Sequence, residues 1–524
     1  MLEWLLLALV VIIFCYVYGA KPLNYWRSRG VKQGNPKWFA GDNWKALFRM
    51  ENFTDMVIRL YNESPGARYY GSYQFSTPTL LIKDPELIKL ITVKDFDHFL
   101  DHRTFVPENA DPLLAKNLFA LKGEKWRDMR PILSPSFTSS KMKAIFILMS
   151  DCAKDFCDFF LKKNKDIVEV ELKDIFTRYT NDVIATTAFG IKVNSLENPE
   201  NEFYMMGKSA TDFSSWRKSL KFFGYFLFPK LFEFFKVKFF DSNVSSFFYE
   251  LVENTIRTRQ EKGIVRPDMI HLLMEAQKMG SQRKEEEKEA MDKNMLNEKP
   301  PSYSKELTTL DITAQALIFF FAGFDSVATA MSFMGYELAA NPDIQKRLRK
   351  EIVDALKESD GNVTYDILHK MKYMDMVVSE TLRKWPNAVL TDRVCTKPYT
   401  IEAATPEEKP LLIEKGVVIA IPVVGIHRDP NVYPDPERFD PERFNEENKS
   451  CIDPYKYLPF GLGPRNCIGN RFALMEMKVI SFYMLLNFEI VPISKSRIPL
   501  KLSKKQINMA PEGGFWFGLK RIQQ

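Results

Sequence analysis

Residues 459–469 read Pro459-Phe460-Gly461-Leu462-Gly463-Pro464-Arg465-Asn466-Cys467-Ile468-Gly469, and an apolar helical pattern starts directly after them. Glycines let a loop bend sharply and let a flat ligand approach its backbone. The cysteine precedes a predicted helix, where backbone N–H groups and the helix dipole favour the thiolate. Arg465 acts in the same direction. A Cys–His nucleophile pair is not readable: the chain has 5 histidines, and the nearest, His427, lies 40 residues upstream. Zinc is poorly served, since Cys451 is 16 residues away and no close Cys or His completes a cluster. A single anionic sulfur that needs no second protein ligand suits haem iron.

Outward from the loop, composition sets bounds. The chain has 524 residues, 45% hydrophobic and 27% charged, with 73 basic against 67 acidic side chains. That is a folded protein. Its net charge of +6 asks for no nucleic-acid partner. The 6 cysteines are too scattered for an extracellular disulfide framework. Trp4 to Ala20 carries no charge, about 25 Å of helix, the low end for crossing a bilayer. The rival is a cleaved signal peptide, but the basic start is absent and Tyr18 spoils the small-x-small exit before Ala20. Between Lys21 and Ala40 stand Lys21, Arg27, Arg29, Lys32 and Lys37 and no acid, which holds the body in the cytosol. The expected organisation is a membrane anchor at 1–20, a basic proline- and glycine-containing linker at 21–45, and one large domain at 46–524. The five N-x-Ser/Thr sequons, from Asn52 to Asn448, should then be unmodified.

Within the body, Gly71 to Ile82 predicts a hairpin, Pro85 to Ile91 a short helix, and Phe99 to Phe119 a long loop. Helical patterns cover most of 137–275, with breaks near Pro199, Pro229 and Gly263. Lys221 to Phe240 holds nine phenylalanines among Lys221, Lys230, Lys236 and Lys238. It reads as two core-packed helix ends or as an apolar lip on a bilayer. Ser281 to Lys299 is a mixed-charge run, read as a solvated loop or helix extension. Thr309 to Ala339 predicts a long central helix ended by Pro342, with Asp325 and Ser326 at its middle. Those two are either a local pair, the serine bonded back to a carbonyl and the aspartate in an ion pair, or polar groups kept for chemistry.

The loop resembles the haem-binding loop of the cytochrome P-450 superfamily, with Phe460, Gly463, Arg465, Cys467 and Gly469 in register. Four further segments follow in the expected order. Trp126-Arg127-Asp128-Met129-Arg130 resembles a Trp-x-x-x-Arg helix. Ala322-Gly323-Phe324-Asp325-Ser326 resembles an oxygen-activating groove. Glu380-Thr381-Leu382-Arg383 matches a Glu-x-x-Arg helix, and Pro441-Glu442-Arg443-Phe444 a segment that brings it a second arginine. Pro436-Glu437-Arg438-Phe439 duplicates that tetrapeptide, and the later copy fits the distance to the loop better. The likeness spans the chain and is nearest in flavour to the insect microsomal enzymes of family nine.

The resemblance implies a mainly α fold with small β-sheets, a single haem domain and heme b (iron protoporphyrin IX). Cys467 would be the axial iron ligand. Phe460 and Gly469 would shape its loop. Trp126, Arg130, Arg393 and Arg465 would meet the propionates. Glu380, Arg383 and Arg443 would form a structural triad that locks the loop from behind. Asp325 and Ser326 would steer protons, and Ser326 departs from the family's usual threonine. The substrate walls would be Phe105, Leu118, Phe119, Phe319, Ala322, Gly323, Val389, Leu390 and Phe515, mostly apolar or small, for a lipophilic substrate. His102 and Arg103 could meet a polar group of the substrate or be solvated.

With no dinucleotide fingerprint evident, electrons would come from NADPH–haemoprotein reductase, with cytochrome b5 optional. Lys122, Lys125, Arg127, Lys141 and Lys143 would form the docking face. The implied location is the endoplasmic reticulum membrane, with the catalytic domain on the cytosolic face. The implied reaction inserts one oxygen atom of dioxygen into lipophilic substrates such as insecticides or plant toxins. Biosynthesis of a hormone or lipid, a haem-thiolate isomerase or dehydratase, and a haem sensor are the alternatives.

Overall fold

The computed structural model describes residues 2–103, 106–107, 109–211, 221, 224–225, 229–266, 268–279, 307–406, 408–506 and 508–523. Phe105 and the 281–299 run lie outside them. Helix dominates the described residues, with nine short strands: β1 (Tyr69–Gln74), β2 (Thr77–Ile82), β3 (Ile167–Glu171), β4 (Thr391–Val394), β5 (Tyr399–Ile401), β6 (Leu411–Ile413), β7 (Val418–Ile421), β8 (Phe488–Val491) and β9 (Trp516–Arg521). The chain divides into two compact units, each assembled from separate stretches of sequence.

The first unit comprises Met1–Arg103, Ser379–Cys467 and Lys501–Glu512. Its four-stranded sheet has the order β1-β2-β7-β4. β1 and β2 form the hairpin expected near 71–82, joined at Phe75-Ser76. β7 pairs parallel to β2 and antiparallel to β4. Flanked on both sides, β7 is buried at every residue, which suits the unbroken run Val-Ile-Ala-Ile. The 21–45 stretch contributes Leu23, Trp26 and Val31 to this core. Trp26 donates from Nε1 to the Ser72 carbonyl at 3.1 Å. A β-carbon on Gly71 would stand 2.6 Å from its Cγ, so the glycine makes room for the indole. Upstream, the Leu2–Phe14 helix exposes nearly its whole apolar surface, and Leu2–Arg29 is long and apolar enough to cross a membrane.

The second unit comprises Thr104–Val378, Ile468–Leu500 and Gly513–Gln524. Its central helix is Thr309–Ala340, as its apolar run predicts. Thr308 and Asp311 form a reciprocal capping box at its start, and the helix stops one residue before the Pro342 that opens Pro342–Glu358. The Leu172–Ile184 helix lies against it. A β-carbon on Gly323 would run into Ile184 Cδ1, and Thr180 Oγ1 donates to Phe324 O at 2.8 Å.

The helical stretch expected over 137–275 holds Ser139–Leu161, Leu172–Ile184, Glu202–Thr211 and Ser242–Lys262. It is also interrupted by β3, where Ile-Val-Glu-Val-Glu alternates exposed and buried and pairs with β9. Gly263 caps a helix at φ +62°. Pro229–Phe234 is a further short helix.

Candidate active site

In the first unit the cysteine loop closes on itself. Gly461 and Gly463 adopt φ of +70° and +69°. A β-carbon on Gly463 would strike the Thr92 carbonyl, so no other residue lets the loop lie this close to the Leu90–Lys94 turn. Asn466 N donates to Gly463 O at 3.0 Å and Cys467 N to Phe460 O at 2.9 Å. Phe460 is half-buried, and the exposed Cys467 forms no disulfide. Among the described residues no three His, Cys, Asp or Glu side chains are grouped to hold a metal. The metal donor this loop offers is the single sulfur of Cys467.

Two buried arginines, one in the loop and one beside it, hold it in place. Arg465 donates from Nε to Leu100 O at 2.8 Å and reaches Asp101 Oδ1 at 3.5 Å. Arg393, on β4, is 1% exposed. Its Nη1 donates to Asp392 O at 2.7 Å and Nη2 to Leu462 O at 3.2 Å, while Nε has no partner. Burial pushes its pKa down to about 10, against the pull of Asp392. The Asp392 carboxylate is held elsewhere, by His102 Nδ1 at 3.1 Å and Arg103 N at 2.6 Å. A buried guanidinium with an unfilled donor calls for an added carboxylate. A flat cofactor carrying propionates fits that demand, and one thiolate fits its iron. His102 and Arg103 are thus engaged with Asp392, and Arg103 also with Gln74.

Behind the loop, Glu380 and Arg383 are wholly buried and pair twice, Nε–Oε2 at 2.7 Å and Nη2–Oε1 at 2.8 Å. Burial raises the Glu380 pKa and Arg383 opposes it. Arg443 Nε lies 3.5 Å from Glu380 Oε1, and Asp440 N donates to the same oxygen at 2.8 Å. The other tetrapeptide contributes carbonyls, Pro436 O at 2.8 Å and Arg438 O at 3.4 Å from Arg383 Nη2. Val389 is buried in this unit and Leu390 half-buried.

In the second unit Trp126 and Arg130 share the Gly123–Leu133 helix, Trp126 buried and Arg130 half-buried. Asp325 Oδ1 lies 2.8 Å from Lys173 Nζ, which also donates to Asp325 O and Thr329 Oγ1, each at 2.7 Å. The Ser326 hydroxyl donates to Ala322 O. Both members of the acid–alcohol pair are thus locally partnered in this conformation. Lys173 was invisible in the sequence, 152 residues from Asp325.

On the central helix Ala322 is exposed and Phe319 half-buried against Phe137, ring centroids 5.4 Å apart, while Phe320, Gly323 and Phe324 beside them are buried. Phe119 is exposed as well. Leu118 is buried, and its N–H donates to Gln315 Oε1 at 2.8 Å. A β-carbon on Gly323 would meet Ile184, and Phe515 packs edge-on against Phe333 at 4.9 Å. In the basic face, Arg127 pairs with Glu124 and Lys143 with Asp366, each at 3.1 Å.

Comparison with known proteins bears on the whole of this arrangement. Residues 33–516 match the family model described as Cytochrome P450. Cytochrome P450 9e2 of Blattella germanica is 46% identical, the alignment covering 99% of this chain and 97% of that protein. Probable cytochrome P450 9f2 of Drosophila melanogaster is 40% identical, covering 98% of each. Cytochrome P450 6k1 of Blattella germanica is 38% identical, covering 97% and 95%. Because the match runs through the cysteine loop, the buried charge triad and the central helix alike, the chain belongs to the cytochrome P450 family, whose members are haem-thiolate monooxygenases.

Proposed function

We propose that the protein is a membrane-anchored monooxygenase that oxidises lipophilic foreign compounds, insecticides or plant toxins among them. It would use heme b and electrons passed from NADPH by a reductase, with cytochrome b5 as an optional second donor. The observation that carries the chemistry is the glycine-bent loop of the single Cys467 beside Arg393, a buried cation with an open donor. When bound, the haem supplies dioxygen activation and oxygen transfer.

The chain's own residues then have these tasks. Cys467 would hold the iron as an anion. Arg393 and Arg465 would neutralise propionates, as would Trp126 and Arg130 from their helix. Phe460 limits water at the sulfur. Ser326 is the last protein hydroxyl of the relay. Lacking a γ-methyl, it turns more freely than threonine from Ala322 O to pass a proton. Asp325 must exchange its Lys173 partner to resupply it.

The exposed Ala322 and Phe119 and the half-buried Phe319 support an apolar substrate. The N-terminal apolar helix, with its basic flank, supports anchoring in the endoplasmic reticulum with the body in the cytosol. Phe234 and Phe235, 78% and 65% exposed near Lys230, Lys236 and Lys238, support a second touch on the lipid.

The test is turnover of a lipophilic panel with reductase and NADPH, alongside the reduced carbon monoxide spectrum of wild type and Cys467→Ala. Loss of the thiolate-type spectrum in the variant and reductase-dependent hydroxylation support the reading. Conversion without electrons would point to an isomerase or dehydratase, and binding without conversion to a sensor. Turnover confined to a hormone or lipid would point to biosynthesis.

A further inference from the structure

His427 ends the Val423–His427 helix and is wholly buried. Its Nδ1 lies 3.0 Å from Arg383 O, and Leu458 N–H donates to its Nε2 at 2.8 Å. A ring that accepts at Nε2 carries its proton on Nδ1, so one neutral tautomer satisfies both contacts. Its own carbonyl accepts from Arg383 Nη1 at 2.9 Å, which makes the tie to that arginine reciprocal. Burial, and then the positive charge of Arg383, push the imidazole pKa down to about 3.

The ring also stacks on Tyr457, with centroids 5.6 Å apart and planes at 23°. Tyr457 donates its hydroxyl to Ser379 O at 2.9 Å, and Tyr433 donates to Lys456 O at 3.1 Å. Three consecutive residues, Lys456 to Leu458, are therefore pinned to the body of the first unit. Two residues further on, Phe460 O receives the Cys467 N–H.

We infer that His427 is a positioning residue for the cysteine loop: its imidazole joins the Glu380–Arg383 pair to the entry of the loop and so sets the place of the Cys467 sulfur. This rests on the reading of Cys467 as the iron ligand. It gives the buried triad a defined route to the sulfur, from Arg383 through one ring to Leu458, and from Phe460 to the Cys467 amide. A ring that pins two backbone groups of different segments has a demand on shape and on both nitrogens. Phenylalanine keeps the shape and removes both bonds, whereas glutamine keeps a donor and an acceptor.

The experiment uses the full-length haem-loaded protein with His427→Phe and His427→Gln. Amide hydrogen exchange at Leu458 and Cys467 should accelerate by about five- to a hundredfold in the phenylalanine variant, the factor that a lost buried bond corresponds to. Exchange in the Ser139–Leu161 helix should stay as in wild type. Within the loaded fraction, the reduced carbon monoxide spectrum should move from thiolate to thiol type and the haem midpoint potential should change. The glutamine variant should lie nearer to wild type in both.

A folded His427→Phe protein with wild-type exchange at Leu458 and Cys467 and an unchanged spectrum would overturn the inference. So would acceleration of equal size throughout the molecule. If the phenylalanine variant does not fold, the same two measurements on His427→Leu, which also lacks both bonds, decide: acceleration confined to the loop supports the role, and wild-type exchange refutes it. Cys467→Ala separates the two claims. If that variant kept the thiolate-type spectrum, the ligand reading would fail while the exchange data on His427 would still stand.

Discussion

Buried charge is where single residues decide most in this molecule. Glu380 and Arg383 have no exposed surface, and their two short bonds offset the cost of desolvation. Glu380→Ala strands the guanidinium and should cost about 3–5 kcal/mol. It should show as lost haem-loaded protein and a lowered Tm. Arg443 sits at the longer 3.5 Å and should matter less when replaced by lysine.

Glu476 presents the opposite case. It is wholly buried, neither carboxyl oxygen has a partner, and burial raises its pKa well above the usual range. Its folded form is therefore the neutral acid. Because the folded pKa is the higher one, its stability is complete below the unfolded value, about 4.3, and is lost as pH rises toward the folded value. Glu476→Gln removes that loss. The advantage of the variant should grow by about 1.4 kcal/mol per pH unit in that window, read as the Tm difference at several pH values.

Elements meet at places where a side chain would not fit. Gly323 brings the central helix onto Leu172–Ile184, with Ile184 filling the space. Gly323→Ala should destabilise by about 1–3 kcal/mol through overpacking, and trimming the obstacle with Ile184→Ala should recover part of it. Urea midpoints of the two single variants and the double variant test this; strict additivity would exclude direct contact.

The central helix was legible because its apolar run is long and bounded by clear end signals. β3 was not, since five alternating residues between two helices carry too little pattern to stand against the helical periodicity on both sides. Which residues of a helix stay exposed is settled by the neighbouring helix, so the different burial of Ala322 and Gly323, adjacent in sequence, was not legible. The triad could be read from Glu-x-x-Arg because i,i+3 partners are local. His427 and Lys173 could not, because their partners are 44 and 152 residues away.

At the scale of the whole chain, both units are built from discontinuous segments, so removal of sequence acts on a unit rather than on a tail. Deleting residues 2–20 should shift the protein from the membrane fraction toward the soluble one and leave the haem spectrum intact. Deleting residues 2–31 also removes Leu23, Trp26 and Val31 from the core of the first unit. That should lower Tm sharply, since losing a buried tryptophan alone costs about 3–5 kcal/mol. Fractionation and thermal melts of the two truncations check both outcomes.

The indole of Trp26 seated over Gly71 has a mechanical meaning as well. A flexible tether lets a tethered enzyme tumble above its bilayer. Here the apolar helix passes through short turns into a ring wedged against a strand, which leaves little swivel between the two. With that helix in a bilayer, as proposed, its tilt would be passed on to the β1–β2 hairpin, and a change in lipid thickness would be felt as a torque on the sheet.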